Sequence, residues 1–206
     1  MIQVREVLFL ILETRLLDEI KFMLRKIFIV VNLESKNKKH IYNTISKMFF
    51  LEEAIEKVDF ENYHLILRSF SNVDDEYLGK TCLELKNKLI NLNIFDLNFN
   101  KLEWGPKPNN PKMLWLTGEK NNDLINLRFQ VENILTDSNV TVDKKNFSPH
   151  INLGRVISNF KKKHNELPQL DQTVDILIPV FSVDIAESCV ENRKKKYRLL
   201  DSVDLG

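Results

Sequence analysis

Tyr63-His64-Leu65-Ile66-Leu67-Arg68 and Pro149-His150-Ile151-Asn152-Leu153-Gly154-Arg155 are the two stretches on which the fold turns. Their histidines stand 86 residues apart. Each stretch follows another apolar strand at one fixed distance. Ile27-Phe28-Ile29-Val30-Val31 begins 37 residues before His64, and Met113-Leu114-Trp115-Leu116 begins 37 residues before His150. Equal offsets point to a duplicated unit. Each copy would then bring one histidine to a shared site.

Reading outward, the first copy runs strand, helix, strand. Residues 26–33 form a continuous β-branched strand. Ser35 is placed to cap a helix reaching about residue 56, with Ile41, Ile45, Met48 and Phe49 on one face. Residues 63–70 alternate as a strand. A second helix is expected from Asp74 or Asp75 to about Leu92, then a strand over 95–104. Gly105 to Pro111 is rich in turn residues.

The pattern then restarts with a strand over 112–117, a helix over 122–135 and the second histidine strand over 147–156. A short helix over 160–166 and a closing hairpin of 174–187 with 196–203 complete the chain. The class is α+β, bilobal, built from duplicated strand-helix-strand units with largely antiparallel sheets facing a central cleft. No linker is long enough to separate independent domains. Residues 23–206 read as one bilobal unit, and residues 1–22 as an N-terminal extension whose role the sequence does not give.

The chain has 206 residues, 43% of them hydrophobic, which suffices for an ordinary core. Lys and Arg number 30 against 29 Asp and Glu, so the net charge is +1. Bulk charge therefore neither requires nor excludes nucleic acid, and any phosphate binding must come from local clusters. Val7 to Leu12 is an apolar run far shorter than the roughly 20 residues that span a bilayer. It also lacks the flanks of a signal peptide. Cys82 and Cys189 show no metal-like spacing and read as buried thiols in a reducing compartment. A cytoplasmic monomer with no membrane partner is expected.

Alternation puts His64, Ile66, Arg68 and Phe70 on one strand face, and His150, Asn152 and Gly154 on the matching face of the other. A free imidazole titrates near pH 6.5, so one can be neutral and the other protonated at neutral pH. One histidine could take the proton of an attacking hydroxyl while the other gives one to the leaving oxygen. Cationic or amide donors would steady the phosphate. No Asp/Glu/His cluster with metal-ligand spacing accompanies the pair, and no metal or cofactor is expected. Trp104 and Trp115 read as core residues. Of the basic runs 36–39, 161–164 and 193–198, the third is the best candidate for a nucleic-acid rim, because its Tyr197 could stack on a base.

These motifs resemble the two-histidine phosphoesterases, specifically the 2′-5′ RNA ligase/RNA 2′,3′-cyclic phosphodiesterase family. The resemblance covers about residues 25–205. A first motif of His-x-Thr/Ser-Leu, a basic residue and Phe is similar to His64 through Phe70. A proline-rich turn into a Leu-Trp strand is similar to Pro106 through Trp115. A second motif, Phe-x-Pro-His-x-Thr-Leu-x-Arg, is similar to Phe147 through Arg155, and Ser188 and Tyr197 match C-terminal positions.

The resemblance implies hydrolysis of a terminal 2′,3′-cyclic phosphate to a 2′-phosphate, with 2′-5′ ligation as a related activity. Its partners would be RNA ends or nucleotides carrying that group. It implies His64 and His150 as acid and base, with Arg155 on the phosphate. Two family hydroxyls are replaced, by Ile66 and by Asn152. Asn152 keeps a hydrogen-bond donor and Ile66 does not. Arg68, on the His64 face, could supply charge instead. Phe70 is a further candidate for stacking on a nucleotide. The alternative is a degenerate member that binds RNA ends or nucleotides with little turnover. Strict alternation would turn Arg155 away from His150, unless a bulge near Gly154 re-aims it.

Overall fold

The computed structural model describes residues 26–71, 73–107, 109–135, 141–142, 147–164, 166–192 and 194–206. The expected N-terminal extension, residues 1–22, lies outside them. The elements run β1 (Lys26–Asn32), α1 (Ser35–Ser46), β2 (Ile55–Lys57), β3 (His64–Ser71), α2 (Asp75–Leu89), β4 (Phe95–Gly105), β5 (Met113–Gly118) and α3 (Asn122–Leu135). Then follow β6 (Thr141–Val142), β7 (Ile151–Val156), α4 (Phe160–His164), β8 (Ile176–Val180), β9 (Ser182–Glu191) and β10 (Lys194–Asp204).

All the strands join one antiparallel sheet, in the order β10-β9-β1-β3-β7-β5-β4-β8. β2 adds to β7 and β6 adds to β3 off this path. The halves meet at β3 and β7, which share one registered pair, Leu65 with Ile151. Beyond it β7 turns to β2 and β3 turns to β6. The two strands are therefore neighbours only at their N-terminal ends, where His64 opens β3 and His150 immediately precedes β7.

Local chemistry sets the helix starts. Asp74 accepts from the Tyr77 amide at 2.7 Å, and Asn121 accepts from the Leu124 amide at 2.9 Å. Asp75 and Glu76 lie in the first turn of α2, with Lys86 and Lys88 in the last, as the helix dipole favours. Buried Ile41 and Ile45 on α1, Leu85 and Leu89 on α2, and Leu127 and Val131 on α3 pack into one cluster with Ile27, Ile29, Leu65, Leu67, Ile151 and Leu153. Each such side chain, fully buried, contributes about 1.5–3 kcal/mol. No helix among the described residues is long and apolar enough to cross a membrane.

Three expectations need correction. The first helix stops at Ser46, and Glu34 rather than Ser35 takes its N-cap position. Met48 to Ile55 is a short apolar run that periodicity alone cannot assign. It forms a 3₁₀ turn at Phe49–Leu51 and then β2, drawn into pairing with β7. The closing hairpin is β9 with β10, whereas residues 176–180 leave it to edge β4. Cys82 and Cys189 are free thiols and only half-buried.

Candidate active site

The decisive local feature is a bulge repeated in both histidine strands. Against β1, Ile29 pairs with Arg68 but Val30 pairs with Ile66, which leaves Leu67 as an extra residue in β3. Against β5, Leu114 pairs with Gly154 but Trp115 pairs with Asn152, which leaves Leu153 extra in β7. Leu67 and Leu153 are both fully buried and are 86 residues apart, the histidine spacing again. A bulge shifts every later side chain to the other face. Before it, His64 and Ile66 face the cleft, as do His150 and Asn152. After it, Ser69 and Arg155 face the cleft, while Arg68, Phe70 and Gly154 turn away.

This overturns the expectation that His64, Ile66, Arg68 and Phe70 share one face. Arg68 ion-pairs with Glu132 of α3, which also binds Arg128 at 2.7 Å. α3 belongs to the second repeat, so this charge cluster ties it to the histidine strand of the first. Phe70 is 1% exposed and packs edge-on against Tyr77 of α2, with no route to a stacked base. Arg155, expected to need re-aiming, is re-aimed by the bulge at Leu153, one residue before Gly154. It stands exposed opposite Met113, on the Trp115 face. Gly154 has a different task. A Cβ there would come within 2.9 Å of the Glu56 carbonyl oxygen, so its absence admits β2.

Continuing the Leu65–Ile151 register by one residue each way places His64 opposite Asn152 and Ile66 opposite His150. His64 opens β3 and His150 immediately precedes β7; in regular antiparallel pairing two residues so placed are diagonal neighbours, roughly 7–8 Å apart with Cβ atoms somewhat closer.

The two rings are held differently. His150 Nδ1 lies 2.6 Å from the Ser148 carbonyl oxygen. A carbonyl only accepts, so Nδ1 carries the hydrogen and a neutral His150 leaves Nε2 as the open acceptor. Its ring stacks on Trp115, with centroids 3.8 Å apart and planes 20° apart. His64 meets the Tyr197 ring edge-on at 4.3 Å. Tyr197 in turn meets Phe28 at 5.2 Å, and the Lys195 ammonium lies 4.8 Å above Tyr197 and 5.1 Å above Phe28. Tyr197 is thus beside His64 and half-buried.

Electrostatics oppose charge on both histidines. Burial, then Lys38 and Lys195, pulls His64 down to about 4. Burial lowers His150 as well, against the Ser148 carbonyl, which favours its charged form. Both therefore favour the neutral form at pH 7, in place of the mixed pair read from free imidazole. A phosphate anion between them reverses the balance, because a nearby negative charge favours the imidazolium.

Two polar atoms on this face are buried without a hydrogen-bond partner among the described residues: Trp115 Nε1 and Asn152 Oδ1. Ile66 is 36% exposed and offers the cleft no donor. Sequence reading left Trp115 in the core and Lys38 in an exposed basic run, and so missed that both lie near the histidines. Trp115 had a usable signal, because Met113 and Trp115 alternate with buried Leu114 and Leu116. Lys38 had none. It is buried on a helix, and its ammonium donates to the Glu61 carbonyl at 2.8 Å.

No family model matches the chain. It is 26% identical over 147 residues to an RNA 2′,3′-cyclic phosphodiesterase of Aeropyrum pernix, covering 71% of this chain and 78% of the relative. It is 25% identical over 129 residues to an RNA 2′,3′-cyclic phosphodiesterase of Thermotoga maritima, covering 63% and 68%. Among solved structures, E. coli LigT complexed with 3′-AMP superimposes with a TM-score of 0.74 at 21% identity, covering 88% of this chain and 98% of that one.

Proposed function

Because the chain belongs to the two-histidine, LigT-like phosphoesterases, we propose that it hydrolyses 2′,3′-cyclic phosphates at RNA ends or on nucleotides to 2′-phosphates, without a metal. This reading rests on the Leu65–Ile151 pair, which joins β3 to β7 one residue away from each histidine. The relatives that are RNA 2′,3′-cyclic phosphodiesterases support the substrate class.

In the reaction, a water oxygen forms a bond to phosphorus and the bond from phosphorus to O3′ breaks. One imidazole takes the water proton. The other, protonated beside the bound phosphate anion, gives its proton to O3′. Asn152 and Arg155 hold the non-bridging oxygens, and Tyr197 stacks on the base. With a 5′-hydroxyl in place of water, the same geometry would join two ends by a 2′-5′ linkage.

The test is incubation with adenosine 2′,3′-cyclic phosphate in chelator, with the 2′- and 3′-phosphates separated by chromatography. The expected product is the 2′-phosphate, lost in the His64→Ala/His150→Ala double variant. Turnover surviving in that variant, or a 3′-phosphate product, defeats the reading. A second reading, a binder with little turnover, is favoured by Ile66, which brings no donor to the cleft. Nucleotide binding with no hydrolysis over hours would select it.

A further inference from the structure

We propose that Trp115 is a positioning residue for His150, an indole clamp that holds the imidazole plane so that Nε2 faces the cleft. The claim rests on the reading of His150 as an acid or base, but its geometry is independent of that reading. A histidine side chain has two torsions to fix. The Ser148 carbonyl takes the Nδ1 hydrogen at 2.6 Å and sets the ring's rotation. The indole, 3.8 Å away and inclined by 20°, sets its plane.

The clamp is backed in turn. Trp115 lies across Gly105, where a Cβ would fall within 2.4 Å of the indole ring. Any side chain at 105 would push the indole towards His150. Trp115 also pairs with Asn152 across the ladder, two residues along from His150. A packed residue on both flanks leaves the indole little room to swing. The opposite histidine has no such plate, because Tyr197 meets His64 edge-on, inclined by 76°.

The stack also has an electronic consequence. The face of an indole attracts a cation, so the charge that His150 gains in turnover forms against a favourable surface. The charged and titratable groups around this face include His64 from β3, Tyr197 and Lys195 from β10 beside it, Arg155 from β7, and Lys101 and Glu103 from β4, where the Glu103 carboxylate takes a hydrogen bond from Lys101 at 2.5 Å.

The chain has two tryptophans, so Trp104→Phe leaves Trp115 as the sole indole. Its emission is then followed against pH. An imidazolium stacked on an indole quenches it, so the emission is expected to step down as the pH falls through the His150 titration, below pH 6.5. Replacing His150 by Gln in the same background should remove the step. In turnover, Trp115→Phe keeps an aromatic plate and should stay within about threefold of the parent. Trp115→Leu should lose roughly 10- to 100-fold in kcat with little change in KM, and should shift the acid limb of the rate profile. An emission step that is absent, or that survives His150→Gln, overturns the clamp. So does equal kcat in the Phe and Leu variants. If the parent shows no turnover, the proposed function fails, while the emission step still decides the clamp.

Discussion

Ile66→Thr is expected to raise catalytic efficiency. Ile66 follows Leu65, whose partner Ile151 follows His150, so regular pairing would set Ile66 across from His150; the residue is 36% exposed. Its repeat partner in the other strand is Asn152, which under the proposed function brings an amide to the same phosphate. A single donor aimed at a developing oxyanion contributes about 10²–10³ in rate, or about 2.7–4 kcal/mol. Threonine keeps the β-branch the strand prefers. The lost methyl contacts cost about 1 kcal/mol of stability at this half-exposed site. We therefore expect kcat/KM on adenosine 2′,3′-cyclic phosphate to rise at least tenfold, in metal-free buffer at constant pH. Ile66→Val is the control, since it changes shape and adds no donor. If Ile66→Thr is folded and turns over no faster than Ile66→Val, the assignment of this position to the phosphate is wrong.

Further outcomes follow from the same geometry. The profile of kcat/KM against pH should peak below pH 6.5, because it needs one neutral and one charged imidazole and both titrate below their usual range; a maximum above pH 7 would contradict the electrostatics. His64 binds its proton near 4 when folded and near 6.5 when unfolded. Its contribution to stability is thus fully present above pH 6.5 and is lost as the pH falls towards 4, a loss of about 3 kcal/mol. Urea unfolding of His64→Gln should show that much less acid sensitivity over this window. Gly154→Ala should destabilise by about 1–3 kcal/mol in thermal melts, because its methyl would meet the Glu56 carbonyl oxygen at 2.9 Å and displace β2. Arg155→Met should raise KM more than it lowers kcat, if the guanidinium mainly binds phosphate in the ground state.

The duplication was legible because strand spacing is a property of the chain alone. Offsets of 37 and 86 residues located both histidine strands. They also hold the bulges, for Leu67 and Leu153 differ by the same 86. The bulges themselves were not legible. Leu65-Ile66-Leu67-Arg68 alternates cleanly in sequence, and the shift arises only from pairing with β1. That is why Arg68 and Phe70 were placed on the wrong face, while Arg155 needed a device to reach the right one. Trp115 was read as core because large aromatics usually are, and its stacking on His150 depends on β5 lying beside β7. The histidine protonation states were out of reach for the same reason. They follow from burial and from Lys38 and Lys195, which approach His64 only in the folded chain.

In the proposed reaction His64 and His150 hold one phosphate between them. The chain contains four histidines, so their ring signals can be followed individually by ¹⁵N-¹H correlation during titration with adenosine 2′-phosphate. His64 and His150 should shift together, with a single affinity and towards the charged form, while His40 and His164 stay in place. A shift confined to one of the pair, or two different affinities, would contradict it.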